Sequence, residues 1–304
     1  KMSLNPEKPG GWVYALLGLW YVWRRDFDVV HIHGWRAAAV VYVWRVFTGE
    51  ANLIRTIDSM PTVKFPRWFM RRLCGRFDSV ITPTRELQYR LLHEYGVYAD
   101  YLPDGYNKPV LDSLPLRRWG LRDGQYSVVL AGSTAVLKEA AQAYEKTKTR
   151  KKLVVLREET GNYKRLGRQY KFLKFLGEQS SRPLRSVIEG AAVVIAADES
   201  VQVGTLLQAM NTKKAIIAVN APLYQETLGV TAQYFKAGDS DGLGEAITAV
   251  VSDKKAQAVW GRAAQKRAQN HFLWRRILPE YLTAYCHAVR LVPMDSAVLV
   301  VSST

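Results

Sequence analysis

The stretch at residues 192–219, AVVIAADESVQVGTLLQAMNTKKAIIAV, decides the fold of the second half of the chain. Its two ends, 192–197 and 215–219, are short runs of small and β-branched apolar residues, as expected of buried parallel strands. Between them lie an acidic loop and a run of helix formers at 204–211. This strand–helix–strand order predicts a parallel sheet covered by helices.

The same alternation recurs along most of the chain. Further strands are predicted at 28–32, 52–56, 79–82, 126–131 and 152–156. Helical spacing is found between them, at 67–76, 84–95, 134–148 and 182–190. The predicted fold class is therefore α/β, with two Rossmann-like domains.

Length and composition agree with two domains. The chain has 304 residues and a hydrophobic content of 48%, enough for two cores. Prolines and glycines gather at 103–124, which predicts an interdomain linker. We therefore expect an N-terminal domain at 1–112, a C-terminal domain at 113–290 and an unassigned tail at 291–304.

Several classes of protein are disfavoured by composition. The longest apolar run, 11–23, is shorter than the ~20 residues of a spanning helix and lacks a signal-peptide cleavage site. Cys74 and Cys286 lie far apart without metal-site spacing, which favours a reducing compartment. The net charge of +16 predicts an anionic partner: a nucleotide-bearing substrate, a phospholipid surface or nucleic acid. Because no nucleic-acid-binding module is recognisable, nucleic acid is the least favoured of the three.

Glycine and lysine follow the strand at 126–131. Ligands of open α/β sheets lie at the carboxyl ends of strands, where a glycine such as Gly132 lets the backbone approach a phosphate. Ser133 comes next, and Lys138 lies five positions after it, where it could contact a diphosphate as a point charge. The alternative for Lys138 is a solvated helix lysine, the commoner role of this residue type.

The opening stretch supplies the other side of the same ligand site. Its helix begins near Gly204 and Thr205, so free backbone N–H groups and the positive end of the helix dipole point towards the ligand. Glu199 or Ser200 could bind a sugar hydroxyl, and Gln208 a ribose. The alternative is that the acidic residues only favour the start of a helix that packs in the core.

Taken together, the chain resembles a GT-B glycosyltransferase of the large retaining family 4. In the second half, VGTLLQAMNTKKAIIAV resembles the family's “Gly…Leu-Leu-Glu-Ala-Met…Gly-Lys-Pro-Val-Ile-Ala” run. In the first half, FDVVHIHGW, FDSVITPTRE and YLPDGYN resemble three further segments of the family. The likeness extends over about residues 20–290.

The resemblance implies two domains that face a central cleft, and transfer of a sugar from a nucleotide-diphosphate donor, most simply a UDP-sugar. The acceptor would be a polysaccharide or a lipid-linked glycan, and the configuration would be retained. It implies no cofactor and no metal, because basic side chains and helix N–H groups stabilise the leaving diphosphate. The sequence DSD at 239–241 is accordingly interpreted as a helix N-cap.

The chain departs from the family pattern at several positions. Ser133 stands where the family has an arginine, and the Glu-x7-Glu pair falls on Ser200 and Gln208. In the first half, Ile57 replaces a histidine beside the donor sugar, while Asp58 is kept. Asp58 and His33 are the candidate catalytic residues, although His31 and His33 could equally pack and hydrogen-bond at a strand end.

The family's first βαβ unit has no counterpart before 11–23, so the N-terminal domain is expected to be incomplete. These departures keep a second hypothesis open: a catalytically impaired relative that acts as a binding or membrane-associated subunit.

Residues 64–77, KFPRWFMRRLCGRF, combine five basic residues with apolar residues at i, i+4 spacing and contain no acid. Such a helix suits an anionic membrane surface, as does the Trp- and Tyr-rich run at 11–23. The alternative for both is an ordinary domain helix. The expected location is cytoplasmic, with peripheral attachment to the inner face of the membrane.

Overall fold

The computed structural model describes residues 11–25, 27–48, 52–60, 65–108, 112–199, 201 and 203–289. Its α-helices are α1 (Gly11–Trp23), α2 (Trp35–Thr48), α3 (Arg67–Cys74), α4 (Arg85–Arg90), α5 (Thr134–Lys146), α6 (Gly161–Gln169), α7 (Ser181–Glu189), α8 (Val203–Asn211), α9 (Pro222–Leu228), α10 (Ser240–Ser252), α11 (Lys254–His271) and α12 (Trp274–Ala288). Its strands are β1 (Val29–His33), β2 (Asn52–Thr56), β3 (Ser79–Thr82), β4 (Asp100–Tyr101), β5 (Tyr126–Leu130), β6 (Lys152–Val155), β7 (Leu173–Phe175), β8 (Val193–Ala196), β9 (Ala215–Val219) and β10 (Gln233–Phe235).

The chain divides into two compact units, which confirms the prediction of an α/β fold built from two parallel sheets. The first unit contains the chain up to Pro103 and again from Ile277, and the second contains Asp104–Arg276. The first sheet has the order β1-β2-β3-β4, and the second has the order β10-β9-β8-β5-β6-β7. Every pairing in both sheets is parallel.

The second sheet is doubly wound. Counted from β5, its order is the 3-2-1-4-5-6 order of dinucleotide-binding folds read across the sheet. The chain starts at β5 in the middle, proceeds outward to β7, and then returns to β8 on the other side of β5. The direction of winding therefore reverses between β5 and β8, and ligands of such sheets bind outside the carboxyl ends of the two strands at this point.

The predicted domain boundary needs two corrections. The linker predicted at 103–124 is not free in the part that the structure describes: Tyr106 and Leu121 are buried in the core of the second unit, and the Leu114 amide donates to Ser186 Oγ (2.8 Å). The chain from Ile277 does not stay with the C-terminal unit either. In α12, Ala284 and Ala288 pack with Ile54 of β2 in the first unit. The tail at 291–304 lies outside the described residues.

The regions before α1 and around α3 bear on two further expectations. No strand precedes β1 in the part of the chain that the structure describes, and residues 1–10 lie outside it, so the incomplete N-terminal domain stays a prediction. No helix among the described residues is long and apolar enough to cross a membrane. The helix α3 forms as predicted, but Met70, Leu73 and Cys74 on its apolar side are buried in the unit's core.

A close contact between α11 and the turn after α8 generates a test of this fold. A Cβ atom on Gly261 would lie 1.9 Å from the Lys213 carbonyl oxygen, so only glycine fits there. We expect Gly261→Ala to lower the free energy of unfolding by about 1–3 kcal/mol, because helix or turn must move.

Gly204→Ala is the matched control for this substitution, since Gly204 is also helical but has open space around its Cβ position. It should leave stability unchanged or raise it by up to about 1 kcal/mol. Urea denaturation followed by circular dichroism measures both variants, and equal stability of the two would contradict the packing described here.

Candidate functional site

A hydrogen bond connects the two strands at which the winding of the second sheet reverses. The Gly132 amide, two residues after β5, donates to Asp198 Oδ2 (2.6 Å), which follows β8 by two residues. The Asp198 carbonyl in turn accepts from Tyr224 Oη (2.5 Å), on α9. Burial raises the pKa of Tyr224, so its hydroxyl stays protonated and holds the loop after β8 in place.

The structure assigns Gly132 and Ser133 local roles. The amide of Gly132 is already paired with Asp198, so it is engaged within the protein. Ser133 is the N-cap of α5, and its Oγ accepts from the Val136 amide (3.3 Å). The cation that the family has at this position is therefore replaced by a capping hydroxyl.

Lys138 is exposed on the second turn of α5. Side chains of a helix generally lean towards its N-terminus, and α5 begins at Thr134, four residues after β5. A role for Lys138 in binding a diphosphate stays a prediction.

The first turn of α8 is open on its outer side. Gly204 is exposed, and a Cβ atom added there would meet nothing within 4 Å. Neither packing nor a left-handed backbone conformation therefore requires glycine at this position. An unobstructed backbone in the first turn of a helix leaves its N–H groups accessible to an anionic ligand.

Gln208 carries an unsatisfied polar atom one helical turn further along α8. Its Oε1 is buried and has no hydrogen-bond partner among the described residues. Leaving a buried acceptor unpaired costs about 1–3 kcal/mol, so such an atom points to a missing donor. A ligand hydroxyl would supply this donor.

A cavity of about 410 Å³ lies at the carboxyl edge of the same sheet. Gly132 and Thr205 line it together with Leu156 and Arg157, which follow β6. Arg157 is paired with Glu178 Oε1 (4.0 Å), another lining residue. Residues that follow β6 were not singled out in the sequence, although the rule that ligands contact strand ends applies to them too.

Two other donor-binding residues predicted from the sequence follow β8, and the structure describes only one of them. Glu199 is exposed in the loop after β8. Ser200 lies outside the described residues.

Asp239, in the DSD sequence, accepts from the Gly242 amide (2.8 Å) at the start of α10, which confirms the N-cap interpretation. Within the described ranges, no three His, Cys, Asp or Glu side chains are grouped as a metal site; the expectation of a metal-free reaction stays a prediction.

In the first unit, His33 and Asp58 lie together at the carboxyl ends of β1 and β2. His33 Nδ1 is 3.9 Å from Asp58 Oδ2, and both side chains are more than half exposed. Ile57, at the position of the family's histidine, is buried in the core of the unit. The exposed imidazole at this edge of the sheet therefore comes from β1.

His31 lies beside His33 and is held by two hydrogen bonds. Its Nδ1 and Nε2 are hydrogen-bonded to Tyr285 Oη (2.8 Å) and Thr56 Oγ1 (2.7 Å), and its ring lies 4.5 Å from that of His33. Burial and the neighbouring His33 lower the pKa of His31 from 6.5 to about 4, while Asp58 acts in the opposite direction. His31 is therefore neutral near pH 7. Its contacts agree with the interpretation that it packs and hydrogen-bonds at a strand end.

The chain is similar to known glycosyltransferases, in sequence over its first third and in fold over most of its length. Residues 3–107, about a third of the chain, match the model of the family described as Glycosyltransferase Family 4. No curated protein matches the chain in sequence.

Solved glycosyltransferase structures share the fold over most of the chain. A glycosyltransferase from Rickettsia africae is 16% identical with a TM-score of 0.76, covering 95% of this chain and 84% of that one. Anabaena HepE in complex with UDP and glucose is 16% identical with a TM-score of 0.75, covering 92% and 84%. Sucrose-phosphate synthase from Thermosynechococcus elongatus is 15% identical with a TM-score of 0.72, covering 90% and 76%.

The fold is therefore that of the GT-B glycosyltransferases, and the resemblance predicted from the sequence is confirmed. The family match in the first unit, together with this fold, bears out the expectation of a glycosyltransferase-type enzyme.

The lowered pKa of His31 generates a prediction for pH dependence. The folded state binds the His31 proton only near pH 4, whereas the unfolded state binds it near pH 6.5. Stability from this residue is therefore complete above pH 6.5 and is lost as the pH falls towards 4.

We expect the free energy of unfolding of His31→Gln to fall less between pH 6.5 and 4 than that of the unchanged chain, measured by urea denaturation at a series of pH values. A His31 ring titration by NMR with a midpoint near 6.5 would contradict the assignment.

Proposed function

We propose that the protein transfers a sugar from a nucleotide-diphosphate donor, with a UDP-sugar as the first candidate, to a hydroxyl of a glycan or lipid-linked acceptor, with retention of configuration. The observation that carries the donor side is the combination on α8 of an open first turn at Gly204 and the unpaired Oε1 of Gln208. One feature suits a diphosphate and the other a ribose hydroxyl. HepE, which shares the fold, is described in complex with UDP.

The proposed donor site places each part of the nucleotide against a different element. The diphosphate binds the α8 N-terminus and Lys138, where positive charge is available without a metal ion. A hydroxyl of the ribose donates a hydrogen bond to Gln208 Oε1, and the rest of the nucleoside occupies the cavity that Thr205 and Arg157 line. Glu199 and Ser200 remain the candidates for hydroxyls of the sugar.

Asp58 and His33 are the proposed catalytic residues. Both are exposed at the carboxyl edge of the first sheet. Either group can accept a proton from an acceptor hydroxyl, a type of catalysis worth about 10²–10⁴-fold. His31, whose pKa is lowered by burial and by His33, is held by Thr56 and Tyr285 and keeps His33 in position by ring contact.

The second hypothesis, an impaired relative that only binds, has support of its own. Ile57 is buried where the family has a histidine, and Ser133 is a capping residue. The two hypotheses agree on nucleotide binding and differ on turnover.

Nucleotide binding is tested first. We expect UDP to bind the chain, and Lys138→Gln to weaken it by about tenfold or more, since a charge-assisted contact contributes about 1.5–3 kcal/mol. Gly204→Ala should weaken it too, because the new methyl group occupies the approach to the helix. Titration calorimetry with UDP, GDP and ADP measures this.

Lys146→Gln is the control for Lys138→Gln: it removes the same charge from the last turn of the same helix, and its exposed ion pair with Asp241 contributes little. Absence of binding of all three nucleotides at millimolar concentration would refute the donor site.

Turnover is tested with Asp58→Asn and His33→Gln. We expect transfer from the donor that binds to fall by 10²-fold or more in each variant, while UDP affinity is unchanged because Lys138 and α8 belong to the other unit. If nucleotide binds but the unchanged chain neither hydrolyses nor transfers the sugar, the impaired-relative hypothesis is the correct one.

We further propose that the first unit attaches peripherally to an anionic membrane on the cytoplasmic side through α1. The apolar side of α3 is used in the core, but α1 exposes large apolar side chains: Val13, Leu16, Leu17, Trp20, Tyr21 and Trp23. Arg24 and Arg25 stack on Trp20 (4.3 Å) and Tyr21 (5.0 Å). Aromatic rings with adjacent cations suit the interface of an anionic bilayer.

Vesicle flotation tests the attachment. We expect the chain to bind vesicles that contain phosphatidylglycerol more strongly than pure phosphatidylcholine vesicles, and Trp20→Ser with Trp23→Ser to reduce binding by about tenfold. Tyr98→Ser is the control, since Tyr98 is 82% exposed but lies outside α1. Equal loss in the control, or no preference for the anionic lipid, would refute the attachment.

A further inference from the structure

A second cavity lies at the opposite edge of the second sheet from the proposed donor site. Its volume is about 490 Å³, and it is bordered by residues just before β5, β6, β8 and β9, which are neighbours in the sheet. Because the carboxyl ends of these strands carry the donor site, this cavity at their amino ends is separate from it.

Four lysines line this cavity. They are Lys151, Lys213, Lys214 and Lys254, whereas Asp123 is the acidic residue among the lining side chains. None of these lysines forms an ion pair with another described residue. The charge gathered here is therefore uncompensated by direct contacts.

The pKa values of two of these lysines are lowered. Burial lowers the pKa of Lys151, and Lys254 lowers it further by repulsion. Burial also lowers the pKa of Lys214, although Asp123 and Glu189 favour its charged form. Like charges held in one partly buried cavity repel each other unless an anion lies between them.

Local structure does not require lysine at two of these positions. Lys213 has a φ of 59°, in the left-handed region where glycine is the usual residue after a helix. Lys254 begins α11, where the helix dipole disfavours a cation. Backbone conformation and helix position therefore do not explain a lysine at either site.

The turn that carries Lys213 and Lys214 is firmly held. The Lys213 and Lys214 amides donate to Met210 O (3.1 Å) and Ala209 O (3.3 Å), and Gln265 Nε2 donates to Asn211 O (2.8 Å). Gly261 of α11 closes against the Lys213 carbonyl from the other side. The two ammonium groups therefore start from a fixed backbone, which lowers the entropy lost on binding.

We propose that this cavity, the lysine cavity, is a binding site for a small anion with two or more phosphate groups, distinct from the donor nucleotide. Its volume suits a small molecule rather than a nucleic acid duplex. Ammonium groups bind phosphate oxygens as point charges, and several around one cavity select multiply charged anions over single ones. A free polyphosphate and a sugar bisphosphate share this chemistry.

Titration calorimetry of the full chain with inorganic tripolyphosphate, and separately with fructose 1,6-bisphosphate, tests the site. We expect at least one of them to bind with Kd on the order of 10–100 µM, since several charge-assisted contacts contribute about 1.5–3 kcal/mol each. Lys151→Gln and Lys214→Gln should each weaken binding by about tenfold, and Lys151→Arg should restore it. Orthophosphate should bind at least tenfold more weakly than tripolyphosphate.

Neighbouring lysines provide matched controls. Lys152 and Lys255 are exposed and do not line the cavity, so Lys152→Gln and Lys255→Gln should retain binding. Equal weakening in all four glutamine variants would mean diffuse attraction to a basic protein and would overturn the proposal.

A second outcome would also overturn the site: Lys214→Gln lowers the melting temperature while probe binding is unchanged, which would make the lysines structural. Weaker tripolyphosphate binding in Lys151→Gln with UDP binding unchanged separates this site from the proposed function.

Discussion

The hydrogen bond from the Gly132 amide to the Asp198 carboxylate determines how the second unit presents a ligand site. It joins the ends of β5 and β8, where the direction of winding reverses and no helix crosses over the carboxyl ends of the strands. In the proposed donor complex, the Gly132 amide is already paired, so the diphosphate would be bound at the start of α8 and near Lys138, where the charge is positive. The same hydrogen bond holds the loop after β8, and different groups would bind the phosphates.

Most strands could be predicted from the sequence, whereas the shortest edge strands could not. The ranges of β2, β3 and β9 match the predicted ones, because each contains adjacent apolar residues that include a β-branched one, a composition typical of buried strands. The strands β4, β7 and β10 have two or three residues each and lie at the edges of their sheets. Their extended conformation comes from pairing with a neighbour distant in sequence, a constraint absent from local composition. The transfer of α12 to the first unit has the same origin.

In the candidate site, too, features set by the local sequence could be predicted and features set by tertiary contacts could not. Gly132, Lys138 and Gly204 could be named as candidates from residue type and position after a strand, and their roles in donor binding stay predictions. The anchoring role of Tyr224 and the unpaired oxygen of Gln208 depend on atoms brought together from separate elements. The pairing of His33 with Asp58 and the neutral state of His31 also arise only from tertiary structure, because the partners of His31 come from β2 and α12.

The discontinuity of the first unit has a consequence for how the chain is made. Residues up to Pro103 leave the ribosome long before Ile277, yet both belong to this unit. Ala284 and Ala288 close a small core with Ile54, Ile81 and Leu102, and Tyr285 completes the contacts of His31. The second unit is continuous and can fold as soon as it has been synthesised. The first unit begins earlier and finishes last, so Ile54, Ile81 and Leu102 lack their α12 partners for most of synthesis. A chain stopped before α12 would carry a complete second unit and an unfinished first one.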